Sequence, residues 1–205
     1  MRALPRGARN PAERGPGIDA RASAVLDFWF GPPPWRGRKA WFAKDAGFDA
    51  AIREAFGELH EEAARGGLAG WEHSATEALA LVLVLDQFSR NLYRGHARAF
   101  AQDARALAVA TSMVERGWDL ERAPLERQFI YLPFEHAESL AMQDRAAELF
   151  GALEAFEETR GLLEWAEKHR VIVRRFGRFP HRNAALGRST TPEERDFLLQ
   201  PGSGF

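Results

Sequence analysis

From Asp19 onward the apolar residues of this chain return every third or fourth position, and no window alternates with period two over more than a few residues. A chain patterned this way is expected to build helices. The apolar run Ala78 to Leu85 could also be read as a buried strand, but its Ala and Leu content favours helix. Ala22, Val25, Leu26 and Trp29 make the first stripe, which halts at Gly31 and three prolines. Phe48, Ile52, Phe56 and Leu59 make the second, closing on Gly66 and Gly67. Ser74 with Glu77 reads as a capping box opening a third helix through Ala78, Leu81, Val82 and Leu85. That helix is apolar nearly all round and is expected in the middle of the fold. Phe100, Ala104, Leu107, Ala108, Thr111 and Val114 predict a fourth, ended by Gly117. Pro124 suits a first helical turn, whereas Pro133 is expected to limit or kink the segment ERQFIYL. Two more helices are predicted over Leu140 to Phe156 and Gly161 to Phe176. The second of these places Leu162, Trp165, Ala166, His169, Val173 and Phe176 inward, with Gly177 as its left-handed stop. Thr191 and Glu194, flanking Pro192, form another capping box before a short last helix.

The expected architecture is therefore all-α, with residues 18–205 forming one domain of antiparallel helices stacked as in a TPR-like array, although no repeat of about 34 residues is visible. Residues 1–17, rich in Gly, Pro and Arg, are expected to be a mobile tail. At 205 residues there is room for one full core. The absence of cysteine excludes disulfides, thiolate metal sites and a cysteine nucleophile. The N-terminal stretch has no apolar segment of the secretory kind. The longest apolar run, Ala78 to Leu85, is far shorter than the roughly 20 residues of a membrane span. A cytoplasmic protein without membrane association is expected. A net charge of −1 offers no general attraction to nucleic acid.

The charge is nonetheless uneven. Between Lys168 and Pro192 there are seven Lys or Arg residues and no carboxylate, leaving the rest of the chain at about −8. At the centre of this segment lies RFGRFPHRN, with Arg178, His181, Arg182 and Asn183. An earlier stretch, LDQFSRNLYRG, resembles it and carries Asp86, Arg90, Asn91 and Arg94. Acids that could face these cations cluster in LPFEHAESLAMQ, as Glu135 and Glu138 on either side of His136, and Asp103 is a further one. Two facing Arg–Asn corners would clamp a small anion, because guanidinium forks pair with carboxylate or phosphate through parallel hydrogen bonds. His136 is the best candidate for a general acid or base. The alternative is that the same residues only tie helix ends together, since Arg and Asn satisfy terminal carbonyls, and that the helical body is a scaffold whose groove takes a protein or peptide. No metal is expected, for want of a spacing such as His-Glu-x-x-His, and no cofactor, for want of a Gly-rich phosphate loop. No Gly-x-Ser-x-Gly nucleophile elbow occurs. Arginines interleaved with Phe176, Phe179 and His181 have the chemistry of a single-strand stacking platform, but the acidic remainder of the chain opposes nucleic acid as a partner.

The succession VLDFWFG, LDQFSRNLYRG, AFAQDARAL, ERQFIYLPFEHAESLAMQ and RFGRFPHRNAALGRSTTPEE resembles the bacterial domain-of-unknown-function family numbered 924. The resemblance covers nearly all of residues 19–199. It implies an all-helical fold of the TPR-like superfamily and a shared polar site, and it implies no activity. Ser89 stands where that resemblance leads one to expect proline, a departure expected to loosen the turn beside Arg90 and Asn91.

Overall fold

The computed structural model describes residues 17–204. Among these the regular structure is helical throughout. The helices are α1 (Ala20–Phe30), α2 (Ala46–Ala64), α3 (Ala75–Val82), α4 (Ser89–Leu92), α5 (Asp103–Glu115), α6 (Pro124–Glu135), α7 (Leu140–Gly151), α8 (Leu162–Phe176) and α9 (Pro192–Leu198). The tail expected over residues 1–17 lies, apart from Gly17, outside the described residues.

Helix starts follow local chemistry. Asp19 caps α1 by accepting from the Arg21 amide, and Asp45 caps α2 by accepting from Gly47 and Phe48. The Thr191–Glu194 box forms as predicted: the Thr191 hydroxyl accepts from the Glu194 amide at 3.2 Å and the Glu194 carboxylate accepts from the Thr191 amide at 2.8 Å. The box predicted at Ser74 does not form. The Ser74 side chain makes no cap bond, and Glu77 instead accepts the Asp19 amide at 2.8 Å, so the start of α1 is tied to the first turn of α3. A long-range partner with an unsatisfied amide wins over the local one.

The central helix is longer than its apolar pattern suggests. It runs from α3 through a π-helical turn, Leu83–Phe88, directly into α4. A π turn inserts an extra residue and widens the helix locally, and here every residue from Leu83 to Phe88 is buried. Ser89, expected to loosen this turn, instead ties it down. It has no exposed surface, donates to the Leu85 carbonyl at 2.6 Å and lies 2.8 Å from His60 Nε2.

Pro133, expected to limit or kink its segment, lies inside α6, which continues two residues beyond it to Glu135. Three other expectations are corrected. The α7 helix ends at Gly151 rather than Phe156, and α5 begins at Asp103 rather than Phe100. Trp165 does not face inward: it is 52% exposed and lies under the Lys168 ammonium, 4.2 Å from the ring centroid. Gly177 does take the left-handed conformation that ends α8, at φ 69°.

Consecutive helices α5, α6, α7 and α8 pack each on the next, while α3 is held between α1, α5 and α6. The core is aromatic on the α1 side: Phe129 of α6 meets Trp29, Phe30 and Trp41 edge-to-face, at centroid distances of 5.4, 5.6 and 4.9 Å. A smaller apolar cluster, Ile172, Val173 and Phe179, lies at the end of α8 and carries the basic segment.

Phe129→Ala is expected to lower unfolding free energy by about 3 to 5 kcal/mol, as truncation of a fully buried aromatic does, whereas Trp165→Ala is expected to cost under about 1 kcal/mol. Urea unfolding of both variants checks the assignment of Trp165 to the outer face.

Candidate functional site

The π turn aims Asp86 into the interior, where its carboxylate has no exposed surface. Three donors surround it. His136 Nδ1 lies 2.8 Å from Oδ1, Arg90 Nη1 lies 3.1 Å from the same oxygen, and Gln87 Nε2 donates to Oδ2 at 2.5 Å. Burial alone would raise the Asp86 pKa, but the charge of Arg90 and the hydrogen bonds from His136 and Gln87 outweigh it and hold the group well below the usual carboxylate range. Burial, and then the charge of Arg90, push the His136 pKa down against the pull of Asp86. A neutral imidazole that donates through Nδ1 keeps a lone pair on Nε2, which is the form a general base needs.

The neighbouring acid behaves in the opposite way. Glu135, also buried, is pushed up to about 8, first by burial and then by the nearby Asp86 carboxylate. His169 of α8 approaches Glu135 Oε1 at 3.1 Å and the Trp165 carbonyl at 2.9 Å, and burial pushes its pKa down to about 3. The Glu135–His169 contact is therefore one between neutral groups rather than an ion pair, because both charged forms would have to lose their water.

Arg90 and Arg182 arrive from distant parts of the chain and meet at Asp103, the first residue of α5. Arg90 grips it with both terminal nitrogens, at 2.9 and 3.0 Å, and Arg182 Nη1 reaches Oδ2 at 3.3 Å. Phe100 is placed against both guanidinium groups, with its ring centroid 5.7 Å from Arg90 Cζ and 4.7 Å from Arg182 Cζ. Phe179 takes Arg182 at 4.4 Å. Burial, and then the like charge of Arg90, lower the Arg182 pKa to about 10. His181, lowered to about 4 by burial and then by Arg182, lies alongside, with its ring 5.6 Å from that of Phe179.

Not every polar residue singled out in the sequence joins this group. Asn91 and Arg94 turn away to Asp49 of α2, with Asn91 donating at 2.7 Å and Arg94 at 2.5 and 2.9 Å. There they line a separate cleft of about 310 Å³ together with Arg53. Arg178 is gripped by Glu194 at 2.6 and 2.9 Å, and Asn183 donates to the same carboxylate at 3.2 Å. Glu138 accepts from the Phe179 amide at 2.7 Å and from Arg188 at 2.6 and 2.9 Å. The two arginines meet, but the two asparagines do not face one another: each ties its own corner to a neighbouring helix. Among the described residues no three His, Asp or Glu side chains are grouped to hold a metal ion.

Several partners were beyond sequence reasoning. Asp49 lies on the polar face of α2, where nothing in the spacing distinguishes it from its neighbours. Gln143 donates to the carbonyls of Glu135 (2.5 Å) and Ala137 (2.8 Å) and so shapes the chain after His136, again without a local signal. Glu194 did carry a signal, its place in the capping box, which leaves one carboxylate to serve both the cap and Arg178.

No curated protein matches the chain. Among solved structures, the fold is similar to that of a protein of unknown function, ATU0120, from Agrobacterium tumefaciens, with a TM-score of 0.78 and 46% sequence identity over 87% of this chain and 96% of that one. The succession of motifs that positions these side chains extends along the whole match to a family model described as bacterial protein of unknown function (DUF924), over residues 25–202, and the chain belongs to that family.

Proposed function

We propose that the protein binds a small anionic metabolite at Arg90 and Arg182, with His136, backed by Asp86, positioned to move a proton on it. The observation that carries this reading is the convergence of two guanidinium groups on one carboxylate, beside an Asp–His pair and a buried acid that keeps its proton at neutral pH. Buried titratable groups with opposed shifts cost stability, and their gathering in one place is the pattern of a reaction centre rather than of a helix tie. Solvent reaches the group through Arg90, Asp103 and His136, which are 20%, 18% and 13% exposed.

A second reading, a TPR-like scaffold for a protein or peptide, is favoured by a groove of about 450 Å³ lined by Val114, Phe134 and Met142 together with Glu115, Asp144, Arg145 and Glu148. In that reading the arginine cluster holds helices together and nothing more.

Inorganic phosphate is expected to raise the melting temperature of the wild-type protein, and Arg90→Gln or Arg182→Gln is expected to abolish that rise. If both variants melt lower yet respond to phosphate as the wild type does, the anion reading is wrong and the scaffold reading gains.

The protonation of Glu135 gives a second test. Folded, the group holds its proton up to about pH 8; unfolded, it releases it near its ordinary 4.5. The folded chain thus binds the extra proton between these values, so the stability this group contributes is complete below about 4.5 and lost as pH rises towards 8. Glu135→Gln, which removes the titration, is expected to gain stability relative to wild type as pH rises from 5 to 8, by on the order of a few kcal/mol. Unfolding free energies measured across that range check the sign.

A further inference from the structure

We infer that Asp103 is an internal stand-in for the ligand: its carboxylate fills the anion place between Arg90 and Arg182 in the free protein, and a phosphate group displaces it. The inference rests on the anion-binding reading above and gives it a ligand class and a gate.

The two arginines are held by contacts that do not involve Asp103. Arg90 Nη1 donates to the Asp86 carbonyl at 2.9 Å and lies 3.1 Å from the Asp86 carboxylate. Arg182 is packed between the rings of Phe100 and Phe179, at 4.7 and 4.4 Å. Removing Asp103 therefore leaves two guanidinium groups in place and facing one another. Among the described residues the Asp103 side chain has no hydrogen bond outside the triangle: its carboxylate bonds only the two arginines, and its amide donates to the Phe100 carbonyl at 3.2 Å. As the first residue of α5, its charge remains favoured by the helix dipole if the side chain swings out to water.

The fit between Asp103 and its partners is also incomplete. Three N–H groups converge on two oxygens, and Oδ2 is shared between Arg90 Nη2 at 3.0 Å and Arg182 Nη1 at 3.3 Å. Arg90 has a second ion-pair partner in Asp86, whereas among the described residues Arg182 pairs directly with Asp103 only, Glu138 and Asp86 acting on it from further away, and its Nε is buried without an acceptor. A phosphate monoester brings three terminal oxygens, one for each donor, and a second negative charge for the under-neutralised Arg182. A simple carboxylate would only repeat what Asp103 already does. The proposed ligand is therefore a small phosphorylated molecule, bound with its phosphate against Arg90 and Arg182 and its remainder towards His136.

The test is calorimetric titration of the full chain with inorganic phosphate at neutral pH. Wild type is compared with Asp103→Asn, Asp103→Ala, Arg182→Gln and Asp103→Asn combined with Arg182→Gln, with circular dichroism to confirm folding. Two Asp103 variants guard against one of them failing to fold. Removing the internal carboxylate is expected to tighten phosphate binding at least about tenfold, and adding Arg182→Gln is expected to erase that gain. Equal affinity in wild type and the Asp103 variants, with Arg182→Gln weakening both, would refute the stand-in role while leaving the anion site intact. A gain that survives Arg182→Gln would mean a general change of charge, and would also refute it. Phosphate binding to none of the proteins would overturn the anion reading itself.

Discussion

A carboxylate without exposed surface cannot be left to water, and the fold is arranged around satisfying the one at Asp86. Desolvating a charge costs several kcal/mol unless donors surround it, and Asp86 draws its donors from three places: the next residue, the following helical turn and the end of α6. That requirement fixes how α6 meets the central helix. It also explains the π turn, since a widened turn lets Asp86 and Gln87 share one interior face while Arg90, one turn on, still reaches back to both the carbonyl and the carboxylate of Asp86.

With Asp86 ionised, its neighbours adjust. Glu135 cannot also be charged so close to it in a dry site and keeps its proton, and His169 beside it stays neutral. His136 stays neutral because Arg90 stands next to the carboxylate that would otherwise charge it. Of the two arginines, Arg90 is doubly paired, whereas Arg182 relies on stacking and a single long bond. The imbalance is local and has one direction, since the positive charge on the Arg182 side is answered less completely than any other in the cluster. A purely structural tie would be expected to close as fully as Arg178 with Glu194 or Arg188 with Glu138, both of which are bidentate.

Much of this was legible from residue order. Ala22, Val25, Leu26 and Trp29 announce α1 through their spacing, Thr191 and Glu194 announce α9 through their side chains, and Gly177 announces the end of α8 because only glycine takes its conformation without strain. Each is a local signal whose partner lies within a few residues. Expectations failed where a distant partner competed: Glu77 was claimed by the Asp19 amide, and Ser89 was held by His60 as well as by Leu85 one turn back. Trp165 failed for another reason, since helical period shows that a face exists but not how wide the covered part is.

The sequence by itself determined that the chain is helical and where most helices begin and end. It also determined that guanidinium groups are concentrated in two short corners, because period, caps and composition are properties of neighbouring residues. Only the tertiary structure decided that Arg90 and Arg182 meet while Asn91 and Asn183 diverge, that Asp86 rather than Glu135 or Glu138 orients His136, and that Asp103 stands between the arginines. Those pairings are set by how helices distant in sequence pack. A side chain's charge state follows from the burial and the partners that packing creates, neither of which is written at its own position in the chain.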